Sequence, residues 1–312
     1  MKHTLWELKQ KQLMPLKAKI IMTENRIRGW YNHFNGNVYI SFSGGKDSTV
    51  LLNIARSIYP DIKAMYVDTG LEYPEIRDFV KTFDNVDIVH PKKSFYQIIK
   101  EYGYPIISKE VAHKIEYLRK GSKWALKYVD DKKKSQYNIK KWKFLVNSPF
   151  KISNRCCDIM KKSPAHKYAK ETGLMPITAQ MASESKLRTQ KWIQNGCNAF
   201  DLKNPISNPM SFWTENDVLQ YIYENNIQIC SVYGNIEKVS SNIFEEIDSE
   251  KVNNYRCSGL TRTGCMFCMF GAHLEKSPNR FKRMKITHPK IYDYCINKLE
   301  LGKVLDYINV KY

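Results

Sequence analysis

Apolar positions along residues 4–33 recur at helical spacing: Leu5, Leu8, Leu13, Leu16, Ile20, Ile21 and Ile27, with lysines between them. The spacing predicts one or two amphipathic helices, interrupted near Pro15, which lacks an amide donor and crowds the preceding turn. From residue 38 the pattern changes. A short β-prone run, Val38-Tyr39-Ile40, leads into two glycines, a lysine and an aspartate, and then into Val50, Leu51, Leu52, Ile54, Ala55 and Ile58 at helical spacing. Further strands are predicted at 62–67, 86–89 and 175–180. Between and after them the pattern gives helices opened by Pro74, over 95–102 capped by Ser94, over 108–119 and 165–172, and one capped by Thr214 with Asp217 at the capping-box position. A closing helix is predicted at 291–299. Alternation of strand and helix argues for an α/β fold, a doubly wound and mostly parallel sheet with right-handed crossovers. Three regions are expected: a helical N-terminal extension (1–36), an α/β domain (37–230) carrying a basic insertion (119–147), and a cysteine-rich C-terminal region (231–312).

Composition sharpens this picture in two ways. With 43% hydrophobic residues among 312, the chain has ample material for a core. Its net charge of +19 points to anionic partners, nucleotides or nucleic acid. The stretch 119–143 concentrates that charge and interleaves it with Trp124, Tyr128, Tyr137 and Trp142. Phosphate contacts and stacking planes together suit a single strand of nucleic acid, while the plainer reading is a solvated insertion whose aromatics face the domain. No apolar run approaches a membrane span and the N-terminus has no secretory core, so a cytoplasmic protein without a membrane partner is expected. The N-terminal helices are expected to pack beside the nucleotide domain or to serve self-association as a homo-oligomer.

Candidate chemistry begins at Ser43-Gly44-Gly45-Lys46-Asp47-Ser48, which lies between a strand and a helix. The glycines permit positive φ and a close approach of backbone amides to an anion, and the helix start aims its unpaired amides at the same place. Lys46 adds a mobile cation. The Walker pattern does not fit, because Ile40 stands where its first glycine belongs and Asp47 replaces its hydroxyl. Ligands of open parallel sheets sit at the carboxyl ends of strands, which brings Asp68 next to this loop. Glu184 and Arg188, four apart, share a helical face and are read either as a pair or as two ligand contacts.

The eight cysteines divide by spacing. Cys265-x-x-Cys268, preceded by Cys257, offers thiolates from a glycine-flanked turn, and Cys156-Cys157 offers more. Four thiolates suit a 4Fe-4S cluster or tetrahedral zinc, and spacing does not choose between them. A redox pair is less favoured, since the motif is not in a thioredoxin-like βαβ unit. Cys197, Cys230 and Cys295 read as small apolar residues.

The 43–48 segment resembles the pyrophosphate loop of the N-type ATP pyrophosphatases, the group that includes the PAPS reductase family. Arg155-Cys156-Cys157, with Lys162 and Pro164, and the later Cys265-x-x-Cys268 are similar to the two cysteine pairs of the cluster-containing adenylyl-sulfate reductases. The resemblance spans residues 38–271 apart from the basic insertion. It implies an adenine-nucleotide-binding fold, with Asp68 and Thr69 beside the nucleotide, and it favours iron-sulfur over zinc. Cys257 is additional to the pattern, so which four of the five cysteines would bind stays open. Two departures bear on activity: the loop carries the full Gly-Gly-Lys-Asp of the ATP-cleaving relatives, and no cysteine follows Cys295, where the reductases carry a nucleophilic one. The expectation is an enzyme that splits ATP into AMP and pyrophosphate to activate an acceptor, in sulfur transfer or nucleic-acid modification, as the similar DNA-phosphorothioation sulfur-transfer enzyme implies. Lys46, Asp47 and Arg188 would act in catalysis, Ser43 to Ser48, Asp68, Thr69 and Glu184 would line the nucleotide site, and Asp47 and Asp68 would help hold Mg2+. The alternatives are a sulfonucleotide reductase using an external thiol and a nucleic-acid-binding iron-sulfur protein.

Overall fold

A computed structural model describes residues 2–129, 138–239 and 254–312. Two helices open the chain, α1 (Leu5–Gln12) and α2 (Leu16–His33), divided at Pro15 as the apolar spacing predicts. Strand and helix then alternate through β1 (Val38–Ser41), α3 (Lys46–Ile58), β2 (Lys63–Val67), α4 (Pro74–Lys81) and β3 (Val86–Val89). Next come α5 (Phe95–Glu101), β4 (Ile106–Ile107), α6 (Lys109–Arg119), α7 (Lys123–Leu126) and a 3-10 stretch over Lys140–Asn147. A π-helical turn (Asp158–Lys162) runs into α8 (Ser163–Thr172), followed by β5 (Met175–Ile177), α9 (Lys186–Asn195), β6 (Asn198–Ala199), β7 (Ile206–Ser207) and α10 (Glu215–Glu224). The remaining elements are β8 (Ile236–Lys238), β9 (Tyr255–Cys257), β10 (Met269–Phe270), α11 (Arg280–Thr287), α12 (Pro289–Asp293) and α13 (Leu301–Tyr307). Ser94, Ser108 and Thr214 each cap the helix that follows, accepting a backbone amide of its first turn.

Two compact units emerge, and they cut across the linear boundaries at 36 and 230. The first gathers Met1–Asp68, Tyr73–Val89 and Ala165–Thr263. Its six-stranded sheet has the order β3-β2-β1-β5-β7-β6, parallel except for the edge strand β6. β1 lies inside the sheet with Ile40 level with Ala64 on one side and Ile177 on the other. Its first three residues are buried, as a strand covered on both faces requires. The chain winds from β1 toward β2 and β3 on one side, and later adds β5 and β7 on the other. The loop after β1 therefore sits at the point where winding reverses, the place at which open α/β sheets bind ligands.

The N-terminal helices are part of this unit's core. Leu8, Leu16, Ile27 and Trp30 share one buried cluster with Ile40, Leu51, Ile177 and Trp213. Two polar contacts fix α2 against α10 and its leader: Lys19 Nζ lies 2.6 Å from Asp217 Oδ2, and Trp213 Nε1 donates to Thr23 Oγ1 at 2.8 Å.

The second unit gathers Thr69–Glu72, His90–Pro164 and Gly264–Tyr312. β4 and β10 pair in parallel at its centre, with Ile106 level with Met269. Ile98, Ile115, Leu145, Phe281, Leu301 and Leu305 are buried in this unit. The predicted closing helix at 291–299 is broken up: a π-helical turn covers Tyr294–Lys298, and Glu300 takes φ 56, so the chain turns before α13 starts. Among the described residues, no helix is long and apolar enough to cross a membrane.

Candidate functional site

In the first unit, residues 43–48 wrap the start of α3. Gly44 has φ +68, and a Cβ there would lie 2.8 Å from Val80 Cγ2 and 2.9 Å from Ile76 Cγ2. Neither the backbone conformation nor the space tolerates a side chain. Ser48 Oγ accepts the Ser43 amide at 3.1 Å and donates to the Gly45 carbonyl at 2.9 Å, while Ser43 Oγ accepts the Gly45 amide at 3.3 Å. The loop thus holds its own shape through its hydroxyls. The first amides of α3 have no carbonyl one turn earlier to bond, which leaves a donor set at the positive end of a helix. Gly44→Ala is expected to cost about 1–3 kcal/mol of stability, read by chemical unfolding.

Lys46 is buried, at 4% exposure, and well engaged. Its Nζ lies 3.1 Å from Glu215 Oε1, 2.9 Å from the Thr261 carbonyl and 3.8 Å from Asp47 Oδ1. Burial opposes its charge, but Asp47 and Glu215 outweigh burial and raise its pKa. Asp47 moves upward as well: burial raises it, and Lys46, Arg262 and Arg188 only partly offset that. Asp47 Oδ1 is buried and accepts no hydrogen bond among the described residues. Burial lowers the pKa of Arg188, and the nearby Arg262 guanidinium lowers it further, while Asp47 raises it. Lys46, Arg188 and Arg262 thus all act on Asp47, and two of the three are already paired, Lys46 with Glu215 and Arg188 with Glu184.

Other expected residues fall into place unevenly. Glu184 pairs with Arg188, the first of the two readings of that spacing. The same oxygen, Glu184 Oε2, also accepts the Met181 amide at 3.1 Å. Asp68 follows β2, the neighbour of β1, and its carboxylate is gripped by Arg77 at 3.0 and 3.1 Å. Thr69 belongs to the second unit, where its hydroxyl donates to Glu72 at 2.6 Å. Sequence reasoning missed Glu215, Arg262 and Tyr233. Tyr233 Oη accepts the Lys46 amide at 3.4 Å and lies 2.6 Å from Thr263 Oγ1. The only local signal was Arg262 standing between Gly259 and Gly264 just before a cysteine motif.

The cysteines separate between the units. Cys156, Cys157, Cys265 and Cys268 belong to the second, and Cys257 belongs to the first, where it packs with Tyr233 and Ile76. Cys156 and Cys157 precede the π-helical turn, and Cys265 and Cys268 form a turn closed by the Cys268 amide on the Cys265 carbonyl at 3.0 Å. Burial pushes Cys156 up, and Cys157, Cys265 and Cys268 add to that shift, so the four sulfurs share one neighbourhood. Cys265 is pushed up to about 11, mainly by burial, against the pull of Lys161. Lys161 rises too: burial opposes its charge, while Cys265 and Glu72, 3.3 Å away, favour it. Among the described residues, no three His, Cys, Asp or Glu form a group that could hold a single metal ion. Cys197, Cys230 and Cys295 are buried thiols, in keeping with their reading as apolar fillers.

A family model described as the phosphoadenosine phosphosulfate reductase domain matches residues 37–120 and 106–269. The chain belongs to that family. The chain is 23% identical over 311 residues to an uncharacterized protein of Methanocaldococcus jannaschii, covering 96% of this chain and 54% of that protein. It therefore spans about half the length of that relative. It is 22% identical over 223 residues to an adenosine 5'-phosphosulfate reductase of Geobacillus kaustophilus, covering 71% of this chain and 78% of the relative. A second such reductase, from Staphylococcus haemolyticus, is 24% identical over 254 residues, covering 80% of this chain and 85% of the relative. Among solved structures, phosphoadenylyl-sulfate reductase from Candida auris, as a phosphate complex, aligns with 18% identity and a TM-score of 0.39, over 67% of this chain and 82% of that one.

Proposed function

We propose that the chain is an ATP pyrophosphatase of the phosphoadenosine phosphosulfate reductase family that activates an acceptor for sulfur transfer. The observation that carries this reading is the loop at the reversal point of the sheet, with Lys46, Arg188 and Arg262 around Asp47. In the proposed reaction an acceptor oxygen attacks the α-phosphorus of ATP and loses its proton to solvent. The bond from that phosphorus to the α,β-bridging oxygen breaks, and its electron pair leaves on pyrophosphate; a sulfide donor then attacks the acceptor carbon that bears the adenylated oxygen, and that carbon–oxygen bond breaks with its electron pair leaving on AMP. Loop amides and Lys46 hold the departing phosphates, and Lys46 stabilises the charge that grows on them. Glu215 keeps Lys46 aimed along the loop until phosphate oxygens take its place. Asp47, whose Oδ1 lacks a hydrogen-bond partner among the described residues, is the carboxylate best placed to hold Mg2+, while Asp68 is engaged by Arg77.

The residues that would hold a 4Fe-4S cluster are Cys156, Cys157, Cys265 and Cys268, four soft thiols of one unit, Cys156 buried and the others half-buried, with Lys161 beside them to offset negative charge. Such a cluster would supply sulfur ligation or redox chemistry. Cys257 is left out of this set. Cys265→Ser is expected to cut iron bound per chain and the visible absorbance of anaerobically purified protein at least severalfold, whereas Cys257→Ser leaves both unchanged.

The test of the activity is product analysis. Incubation with Mg·ATP, acceptor candidates and a sulfide donor should release AMP and pyrophosphate in equal amounts. Release of ADP and phosphate instead would overturn the reading. A sulfonucleotide reductase with an external thiol remains the second reading, supported by the reductases among the relatives.

A further inference from the structure

Part of the basic stretch 119–143, Tyr137 included, lies outside the described residues. The first unit holds a feature that the nucleotide site does not use. A cavity of about 350 Å3 lies between α2, the end of α9 and the chain leading into α1. It shares no residue with the Ser43–Ser48 loop or with the side chains that meet that loop. Two glycines leave the room. Gly29 stands inside α2, where glycine is disfavoured. A Cβ on it would meet Asn198 Nδ2 at 3.9 Å, an ordinary contact, so packing does not demand the glycine. Gly196 has φ +73, and a Cβ there would lie 2.7 Å from His3 Nε2. His3 takes that space as one wall. Its amide donates to the Ile193 carbonyl at 3.0 Å, and its ring stacks on Trp192 with centroids 4.8 Å apart.

The lining is one-sided in charge. Lys2, His3, Lys11 and Arg26 belong to it, and no aspartate or glutamate does. Three acids stand near these residues in the chain, and each is engaged elsewhere. Asp201 takes Lys2 at 2.9 Å. Glu7, one turn before Lys11, gives its Oε2 to His3 Nδ1 at 3.1 Å and to the Thr4 amide at 3.3 Å. Burial raises the pKa of Tyr221 and Glu24 adds to it, which places that carboxylate toward α10. Glu245, Glu246, Asp248 and Glu250 lie outside the described residues, between β8 and β9, and neither strand lines the cavity. Lys11 and Arg26 make no side-chain hydrogen bond or ion pair among the described residues. Burial raises the Cys197 pKa, and the Trp192 indole, Arg26 and Lys11 each pull it back, so both cations converge on this lining residue. Trp192, 3% exposed, adds a donor. Its Nε1 is buried against that thiol, a weak acceptor, and no oxygen or nitrogen takes its hydrogen among the described residues.

We propose that this cavity binds a small phosphate monoester, with Lys11 and Arg26 on the phosphate and Met22, Phe200 and Phe212 flanking the organic body. Two cations match a dianion, and a planar guanidinium bonds two oxyanion oxygens at once. A phosphate oxygen also gives the Trp192 N–H the acceptor it lacks. The volume lies at the lower end of sites for small organic ligands and exceeds what free phosphate fills. The inference stands apart from the nucleotide reading, since it rests on no residue of the Ser43–Ser48 loop.

The experiment titrates the full chain with phenyl phosphate and follows the indole N–H resonances, with Trp192→Phe assigning that of Trp192. Expected is a saturable shift of the Trp192 resonance. Arg26→Ala and Lys11→Ala should each weaken affinity about tenfold or more, while both variants unfold in urea as the wild type does. Inorganic phosphate lacks the organic body and benzoate lacks the second charge, so both should bind more weakly. Lys46→Ala should keep the response, which separates the cavity from the Ser43–Ser48 loop. Absence of a saturable shift, unchanged affinity in Arg26→Ala, equal binding of inorganic phosphate or benzoate, or loss of the response in Lys46→Ala would each overturn the proposal.

Discussion

Replacing Lys46 with alanine is expected to lower AMP release from ATP by roughly two to three orders of magnitude, the usual effect of removing one preorganised donor from developing charge. Position is the reason. Lys46 is the first residue of α3, buried beneath the loop, and its ammonium reaches Glu215 and the Thr261 carbonyl at 3.1 and 2.9 Å. Its removal leaves Asp47 and Glu215 without the cation between them, so the Asp47 pKa, already raised by burial, moves further up. A proton on Asp47 then removes the negative charge proposed to hold Mg2+. Binding and chemistry should both suffer, while circular dichroism at neutral pH shows a folded protein. Rates from chromatographic separation of AMP and ATP decide the matter; turnover within a few-fold of wild type would remove Lys46 from the reaction.

The second large effect lies away from the loop. Asp217→Ala is expected to lose about 3–5 kcal/mol of stability, since it leaves a buried ammonium without its carboxylate. Lys19 is 2% exposed, and its other described contact is the Gln12 carbonyl at 2.6 Å. Asp217 Oδ2 also accepts the Thr214 amide at 2.7 Å and its hydroxyl at 2.8 Å, so the reciprocal half of the α10 capping box goes with it. Glu215 sits in that same first turn, and its hold on Lys46 should loosen. Urea unfolding gives the loss directly. A paired change, Lys19→Met with Asp217→Leu, should recover much of the stability, because neither charge is then buried. A loss below about 1 kcal/mol in the single variant would mean that Lys19 is not left as an uncompensated buried charge, having reached water or shed its proton.

The parts of this architecture set by neighbouring residues were readable from the chain. Pro15 divides α1 from α2, Ser94 and Thr214 open their helices, and the strand-loop-helix order around Gly44 places the Ser43–Ser48 loop between β1 and α3. Glu184 and Arg188 pair because one helical turn brings them together. What escaped was everything brought in from far along the chain. Glu215, Tyr233 and Arg262 meet Lys46 and Asp47 only because later segments fold back onto the first unit, and no local periodicity records that return. The two units interleave along the sequence, which is why linear boundaries misplace them and why Thr69 and Asp68, adjacent in the chain, fall on different sides. Cys257 looked like a fifth ligand from its spacing to Cys265, yet it packs in the core of the first unit with Tyr233.

The central claim is that the Ser43–Ser48 loop takes the pyrophosphate end of ATP. Calorimetric titration of anaerobically purified protein with Mg·ATP and, separately, with phosphoadenylyl sulfate tests it most directly, with Lys46→Ala as the control. The account predicts tighter binding of Mg·ATP, lost in the variant. Tighter binding of phosphoadenylyl sulfate, or ATP binding untouched by Lys46→Ala, would contradict it.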